Sequence, residues 1–224
     1  MQSQTYIEFL QAHAPSFIDG TVVTLQQTGL GILLAVIVAL IMAFMKMSPL
    51  FLVRWPAVAY IELFRGTSLL VQMYWIFFVL PLFGITLEKF AAGVIAVGLN
   101  LGAYGAELVR GGVQSVPRGQ YEAAIALSIS PFRRMRRIIF PQALLNMLPP
   151  WGNLVIELLK STALVALISV ADLMFEVRQI NSTTFLSAQA FGTALIIYYI
   201  IARFILTPGM RGLEHRLSRK LSIG

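Results

Sequence analysis

The stretch YEAAIALSISPFRRMRRIIFP, Tyr121 to Pro141, sets four arginines, Arg133, Arg134, Arg136 and Arg137, between two long apolar segments. In a chain that is 58% hydrophobic and 12% charged, such a cluster marks a boundary between membrane spans rather than a soluble face. Its local chemistry predicts structure. Ser130 and Pro131 suit a helix N-cap and first position, because serine can accept an orphan amide bond and proline has no amide to leave unpaired. The alanine-rich GQYEAAIAL before them has helical character, so the stretch reads as helix, tight turn at Ser128 and Ile129, then helix.

The segments on either side set the fold class. Thr21 to Met45 carries no charge, and Pro49, Arg54 and Pro56 then mark a turn. A second apolar segment runs from about Ala57 to Leu82, with Glu62 and Arg65 near its start; a third runs from about Lys89 to Gly112, with Glu107 and Arg110 near its end. A fourth, from about Gln142 to Ala171, is broken by Pro149 and Pro150 and carries Glu157 and Lys160. The last, from about Ser187 to Leu206, holds Arg203 and is followed by Pro208. Each matches a span of roughly 20 residues. The sequence therefore predicts an all-α integral membrane protein with five transmembrane helices.

Five spans place the termini on opposite sides, and the distribution of Lys and Arg selects the orientation. The amino-terminal segment carries none, and the other loops of that set hold only Lys89 and Arg178. The opposite set holds Lys46, Arg54, Arg110, Arg118, the four-arginine cluster, and Arg211, Arg216, Arg219 and Lys220. The expected topology is an N-terminus outside and a C-terminus in the cytoplasm, with the opening stretch a cytoplasmic loop. The expected organisation is an extracytoplasmic segment at 1–20, a membrane domain at 21–210 containing the loop 118–141, and a basic cytoplasmic tail at 211–224. The segment YIEFLQAHAPSF reads as a short interfacial helix.

Several functions are excluded by absence. The net charge of +7 sits beside apolar spans, which favours lipid headgroups over nucleic acid. With no cysteine there is no disulfide, thiolate site or cysteine nucleophile, and His13 and His215 are too far apart in the chain to predict a metal site. No Lys follows a Gly, so the chain has no GxxxxGK[ST] phosphate loop and binds no ATP by that route. The first nineteen residues lack both Lys and Arg and a continuous apolar core, so the first span is expected to be retained.

Glu122-Ala123-Ala124, with Gly119, Ser128, Pro131 and IIFP ending at Pro141, resembles the EAA loop of binding-protein-dependent ABC importer permeases. The resemblance extends to FRGTSLLVQ (Phe64 to Gln72), YGAELVRGGVQSVPRGQ (Tyr104 to Gln120), PQAL (Pro141 to Leu144) and LLKSTALVALI (Leu158 to Ile168), which are similar to the polar amino-acid uptake branch. ELFRGTSLLVQMYWIFFVLP and LPPWGNLVIELLKSTALV are most similar to ectoine and hydroxyectoine permease subunits. The family usually has glycine where this chain has Ser128, which puts the local turn in question.

The resemblance implies a type I ABC importer permease fold in a bacterial cytoplasmic membrane. It implies no enzyme activity in this chain, and no cofactor bound by it: ATP and Mg belong to a separate ATPase. The implied partners are a second permease subunit, two cytoplasmic ATPase subunits and an extracytoplasmic binding protein. The implied coupling residues are Gly119, Glu122, Ala123, Ala124, Ser128, Pro131, Arg133, Arg134 and Pro141. A juxtamembrane basic helix held on anionic lipid is the alternative reading of the same loop.

Glu62/Arg65, Glu107/Arg110 and Glu157/Lys160 each set a cation three residues after a Glu, a spacing that allows mutual neutralisation on a helix. Intramembrane charges also mark substrate paths. Glu62, Tyr74, Asn100, Tyr104, Glu157, Lys160 and Thr162 are the candidate path residues, with YWIFF (Tyr74 to Phe78) either a cation-π surface or plain packing. Pro149 and Pro150 suggest a hinge. A self-contained, ion-gradient-driven transporter is the alternative function, against which the absence of an internal repeat counts.

Overall fold

The computed structural model describes residues 5–221, the Lys220 and Leu221 side chains excepted. The ends of the expected terminal segments, 1–4 and 222–224, lie outside the described residues. Eight helical elements follow in chain order, some of them composite. They are α1 (Tyr6–Lys46), α2 (Phe51–Gly66), α3 (Leu69–Phe83), α4 (Lys89–Gln114), α5 (Arg118–Ala126), α6 (Pro131–Ile168), α7 (Leu173–Thr184) and α8 (Ser187–Arg219, its last turn reaching Leu221). Four of these, α1, α4, α6 and α8, are long and apolar enough to cross a membrane, and α2 with α3 makes a fifth span bent by 109°.

The core is built on close backbone approach. The buried side of α1 reads Gly20, Thr24, Gln27, Thr28, Gly31, Ala35, Ala39 and Ala43, a stripe of mostly small residues recurring every three or four positions. It faces an equally small face of α4. A Cβ on Gly102 would sit 2.7 Å from Val38 Cγ1, and one on Gly105 would sit 2.7 Å from the Trp151 ring and 2.9 Å from Ala39. Apolar area alone gives little drive between helices in lipid, so this contact relies on dispersion between surfaces that only small residues let meet. Polar ties add to it: Gln27 Nε2 donates to the Phe90 carbonyl at 2.9 Å, and the Leu173 amide donates to Thr24 Oγ1 at 3.1 Å.

The two ends of the bundle are packed separately. At one end Phe9 and Phe17 of α1 cluster with Leu173, Val177 and Ile180 of α7 and with Ala190 and Ala194 of α8. There Asp172 caps α7, accepting from the Phe175 amide at 2.9 Å. At the other end Val113, Val116, Ile139 and Ala143 form a cluster joined by Met47 and Tyr121.

Several boundaries differ from expectation. The helix α1 is continuous from Tyr6 with Pro15 inside it, so among the described residues no break in the backbone falls near residue 20. The second span begins at Phe51, carries Pro56 within it, and turns sharply at Thr67–Ser68. Pro149 and Pro150 lie inside the regular helix Phe140–Thr162, so no break opens there. The expected stop at Pro208 is also absent, since the last helix runs through it and takes in most of the basic tail.

Candidate functional site

The loop 118–141 is a helix, a left-handed residue and a second helix. Ala124 is the anchor of α5 at 1% exposed, while Gly119, Glu122 and Ala123 face outward. Tyr121 fixes the helix from the other side, donating its hydroxyl to the Val113 carbonyl at 3.2 Å. Burial pushes that hydroxyl above its usual range, with the Arg134 charge opposing, so it stays a donor at neutral pH. The helix then ends in a Schellman motif: the Ile129 amide bonds the Ala124 carbonyl at 3.0 Å and the Ser128 amide bonds the Ile125 carbonyl at 2.8 Å. Ser128 occupies the position that favours glycine, with φ +54. The left-handed turn is thus formed here by a residue less suited to it than glycine.

Pro131 takes the first position of α6 as expected, but Ser130 stands at the N-cap without a side-chain bond. Of the arginines, Arg133, Arg136 and Arg137 are exposed and Arg134 is half-buried. The helix widens at Met135–Ile139 to a π-helical stretch before Phe140 and Pro141. The loop leaves three large apolar side chains unpartnered: Ile125, Leu127 and Phe132 are 60%, 74% and 73% exposed. Around Glu122 and Ala123, they form a surface suited to a groove on another protein.

The candidate path residues divide. Glu157 and Lys160 are exposed on α6 and line a cavity of about 310 Å³ with Asn153 and Ile156. Tyr74 lines a different cavity, at the α7 end. Asn100 is occupied structurally: its Nδ2 donates to the Phe64 carbonyl at 3.1 Å and to Gln72 Oε1 at 2.9 Å. Gln72 Nε2 in turn donates to Phe64 O at 2.9 Å and Thr67 Oγ1 at 2.7 Å, so Asn100 and Gln72 together satisfy the backbone freed by the 109° bend. Thr162 is fully buried and spends its hydroxyl on the Leu159 carbonyl at 2.7 Å.

Among the described residues only one of the three spaced pairs closes. Glu107 meets Arg110 at 2.7 Å and also Lys46 at 2.6 Å, a link from α4 to the end of α1 that spacing within one helix could not reveal. Glu62 and Arg65 stay apart; Arg65 instead lies 5.4 Å from the centre of the half-buried Tyr104 ring. Gln72 was within reach of sequence reasoning, because a polar residue shortly after a Gly-Thr-Ser break is placed to satisfy it. The glycines of α4 carried a signal too, the small-xxx-small spacing of Gly98 and Gly102.

A helical bundle with a bent span and a projecting two-helix loop defines the class: a polytopic permease domain. Residues 21–219 match the model of the family described as binding-protein-dependent transport system inner membrane component, and the chain belongs to that family. It is 36% identical over 210 residues to the L-cystine transport system permease protein TcyB of Bacillus subtilis (strain 168), covering 93% of this chain and 89% of that protein. Among solved structures it is similar to an amino acid ABC transporter with histidines, with a TM-score of 0.88 and 36% identity over 96% of this chain and all of the other. An inward-facing MetNI methionine ABC transporter shares the fold, with a TM-score of 0.78 at 14% identity and coverage of 92% and 98%. The fold is the type I ABC importer permease fold.

Proposed function

We propose that this chain is the membrane permease subunit of an ATP-driven importer of polar amino acids, with its N-terminus outside and its C-terminus in the cytoplasm. The observation that carries the reading is the coupling loop. A Schellman-terminated helix, with Ala124 anchored and Glu122, Ile125 and Leu127 facing out, offers a rigid docking element in a chain without a phosphate-binding loop. ATP and Mg act on two separate ATPase subunits. A second permease copy or homologue completes the membrane domain, an extracytoplasmic binding protein delivers the substrate, and surrounding lipid meets the exposed arginines.

Gly119, Glu122, Ala123, Ala124, Ser128, Pro131, Arg133, Arg134 and Pro141 form the coupling element in this reading. Closure of the ATPases pulls α5, and α6 carries the motion to Glu157 and Lys160, which line the substrate path. Tyr74 lies further along it, and Asn100 holds the bent span in shape. The relatives described above concern cystine and an amino acid transporter with histidines, which supports amino acids as the substrate class. Ectoine and hydroxyectoine are the narrower reading, resting on the ELFRGTSLLVQ and LPPWGNLVIELLKSTALV resemblance alone.

Reconstitution in liposomes tests this function. Uptake of L-cystine, L-histidine or L-glutamine is expected only with ATP, the ATPase and the binding protein present. Uptake by this chain alone under an ion gradient overturns the reading. Glu122→Lys is expected to lower substrate-stimulated ATP hydrolysis at least tenfold; unchanged coupling and assembly remove Glu122 from the docking role.

A further inference from the structure

At the α7 end of the bundle a cavity of about 530 Å³ opens between α3, the end of α6, α7 and α8. We propose that it is a receiving site for the carboxylate of the incoming substrate, held by Arg178, ahead of the cavity at Glu157 and Lys160. The proposal rests on the amino-acid reading above and adds a second station to it.

Three observations support it. First, α7 is amphipathic, and its polar face borders the cavity. Leu173, Val177 and Ile180 bury one face against α1 and α8, while Arg178, Gln179 and Asn181 line the cavity. Second, the cavity wall is rich in donors. Arg178 makes no ion pair among the described residues, and Glu176, its neighbour in sequence, packs towards Gly20 instead. Asn181 accepts the Ser187 hydroxyl on Oδ1 at 2.8 Å, which turns its amide nitrogen into the free end. A guanidinium beside amide donors recognises a carboxylate in two-point geometry, as a lone ammonium does not. Third, Tyr74 and Phe191 supply apolar walls on the same cavity, so a zwitterion with a side chain finds both kinds of contact.

The position fits a handover. Ala166 and Leu167 line this cavity, and Lys160 lies six residues before Ala166 on the same helical element, about 11 Å along its axis because Ala163–Ile168 is a 3-10 helix with a longer rise per residue.

The test uses the assembled permease–ATPase complex in nanodiscs, without binding protein. The probe is whichever of L-cystine, L-histidine or L-glutamine drives uptake, radiolabelled, beside its α-carboxamide analogue. Arg178→Gln is expected to weaken equilibrium binding of the amino acid at least tenfold and Arg178→Lys to restore part of it, with the analogue bound alike by all three. Equal binding by wild type and Arg178→Gln overturns the proposal. So does, in a separate assay with the binding protein added, weaker docking of that protein with substrate binding unchanged, which would make Arg178 a protein contact. If the wild-type complex imports none of the three, the functional reading fails and this site with it; if uptake is normal and Arg178→Gln has no effect, only this site fails.

Discussion

At the scale of single residues, Ser128 shows how far a turn can be read from sequence. The helix, the turn position and the second helix were all legible in EAAIALSISP, because alanine density and a Ser-Pro start have local causes. The departure from glycine was legible as well, and the structure supplies its consequence: Ser128 adopts φ +54 so that Ile129 and Ser128 can close their two bonds. A non-glycine residue there costs on the order of 1 kcal/mol. Ser128→Gly is therefore expected to stabilise the loop by about that much, visible as roughly fivefold slower amide exchange over α5 in hydrogen-exchange mass spectrometry. Ser128→Val, β-branched and ill suited to the left-handed region, should speed exchange instead. Equal exchange in all three would show that the turn is not set by this residue. Asn100 was less legible, for the opposite reason. A buried amide in a span has two explanations, ligand and backbone repair, and only the position of the Phe64 carbonyl chooses between them.

At the scale of helices, proline misled the boundaries in a systematic way. In sequence it reads as a stop, yet α6 and α8 run on through one, and only α3 ends soon after its Pro81. A π-helical stretch comes just before each: Trp75–Val79 before Pro81, Met135–Ile139 before Pro141, and Ile201–Leu206 before Pro208. Proline lacks an amide and its ring crowds the carbonyl four residues back, so a wider turn relieves the clash without ending the helix. At Pro208 the Thr207 hydroxyl also takes the Ala202 carbonyl at 2.7 Å. The 109° bend between α2 and α3 is held differently, by side chains. Asn100 and Gln72 share the Phe64 carbonyl and bond each other at 2.9 Å. A double-mutant cycle measures that coupling. Asn100→Ala and Gln72→Ala are each expected to cost about 0.5–1.5 kcal/mol in thermal unfolding of the purified complex, because each removes the mutual bond and one of the two donors on the Phe64 carbonyl. The double variant should fall short of the sum by at least 0.5 kcal/mol, on the order expected of contacting partners. Strict additivity would mean that the bend is held by packing alone.

At the scale of the whole molecule, charge placement is the one property that sequence carries better than coordinates, since the bundle itself has no inside or outside. The Phe9 and α7 end carries Lys89 and Arg178; the opposite end gathers Lys46, Arg118 and the arginines of the coupling loop. The structure sharpens this asymmetry by tying Lys46 to Glu107, which neutralises one of those cations and leaves the loop arginines to carry the bias. Coupling and receiving site both depend on the resulting orientation. Because the chain has no cysteine, a single introduced thiol reports its side of the membrane without background. Ser182→Cys, on the exposed face of α7, is expected to react with a membrane-impermeant maleimide in intact spheroplasts. His215→Cys, exposed on the last turns of α8, should react only after the membrane is opened with detergent. The reverse pattern would place the EAA loop away from cytoplasmic ATP and the Arg178 cavity away from any delivering protein, overturning both assignments with one measurement. Labelling of both thiols in intact spheroplasts would show that α8 does not cross the membrane, because that one span separates the two positions.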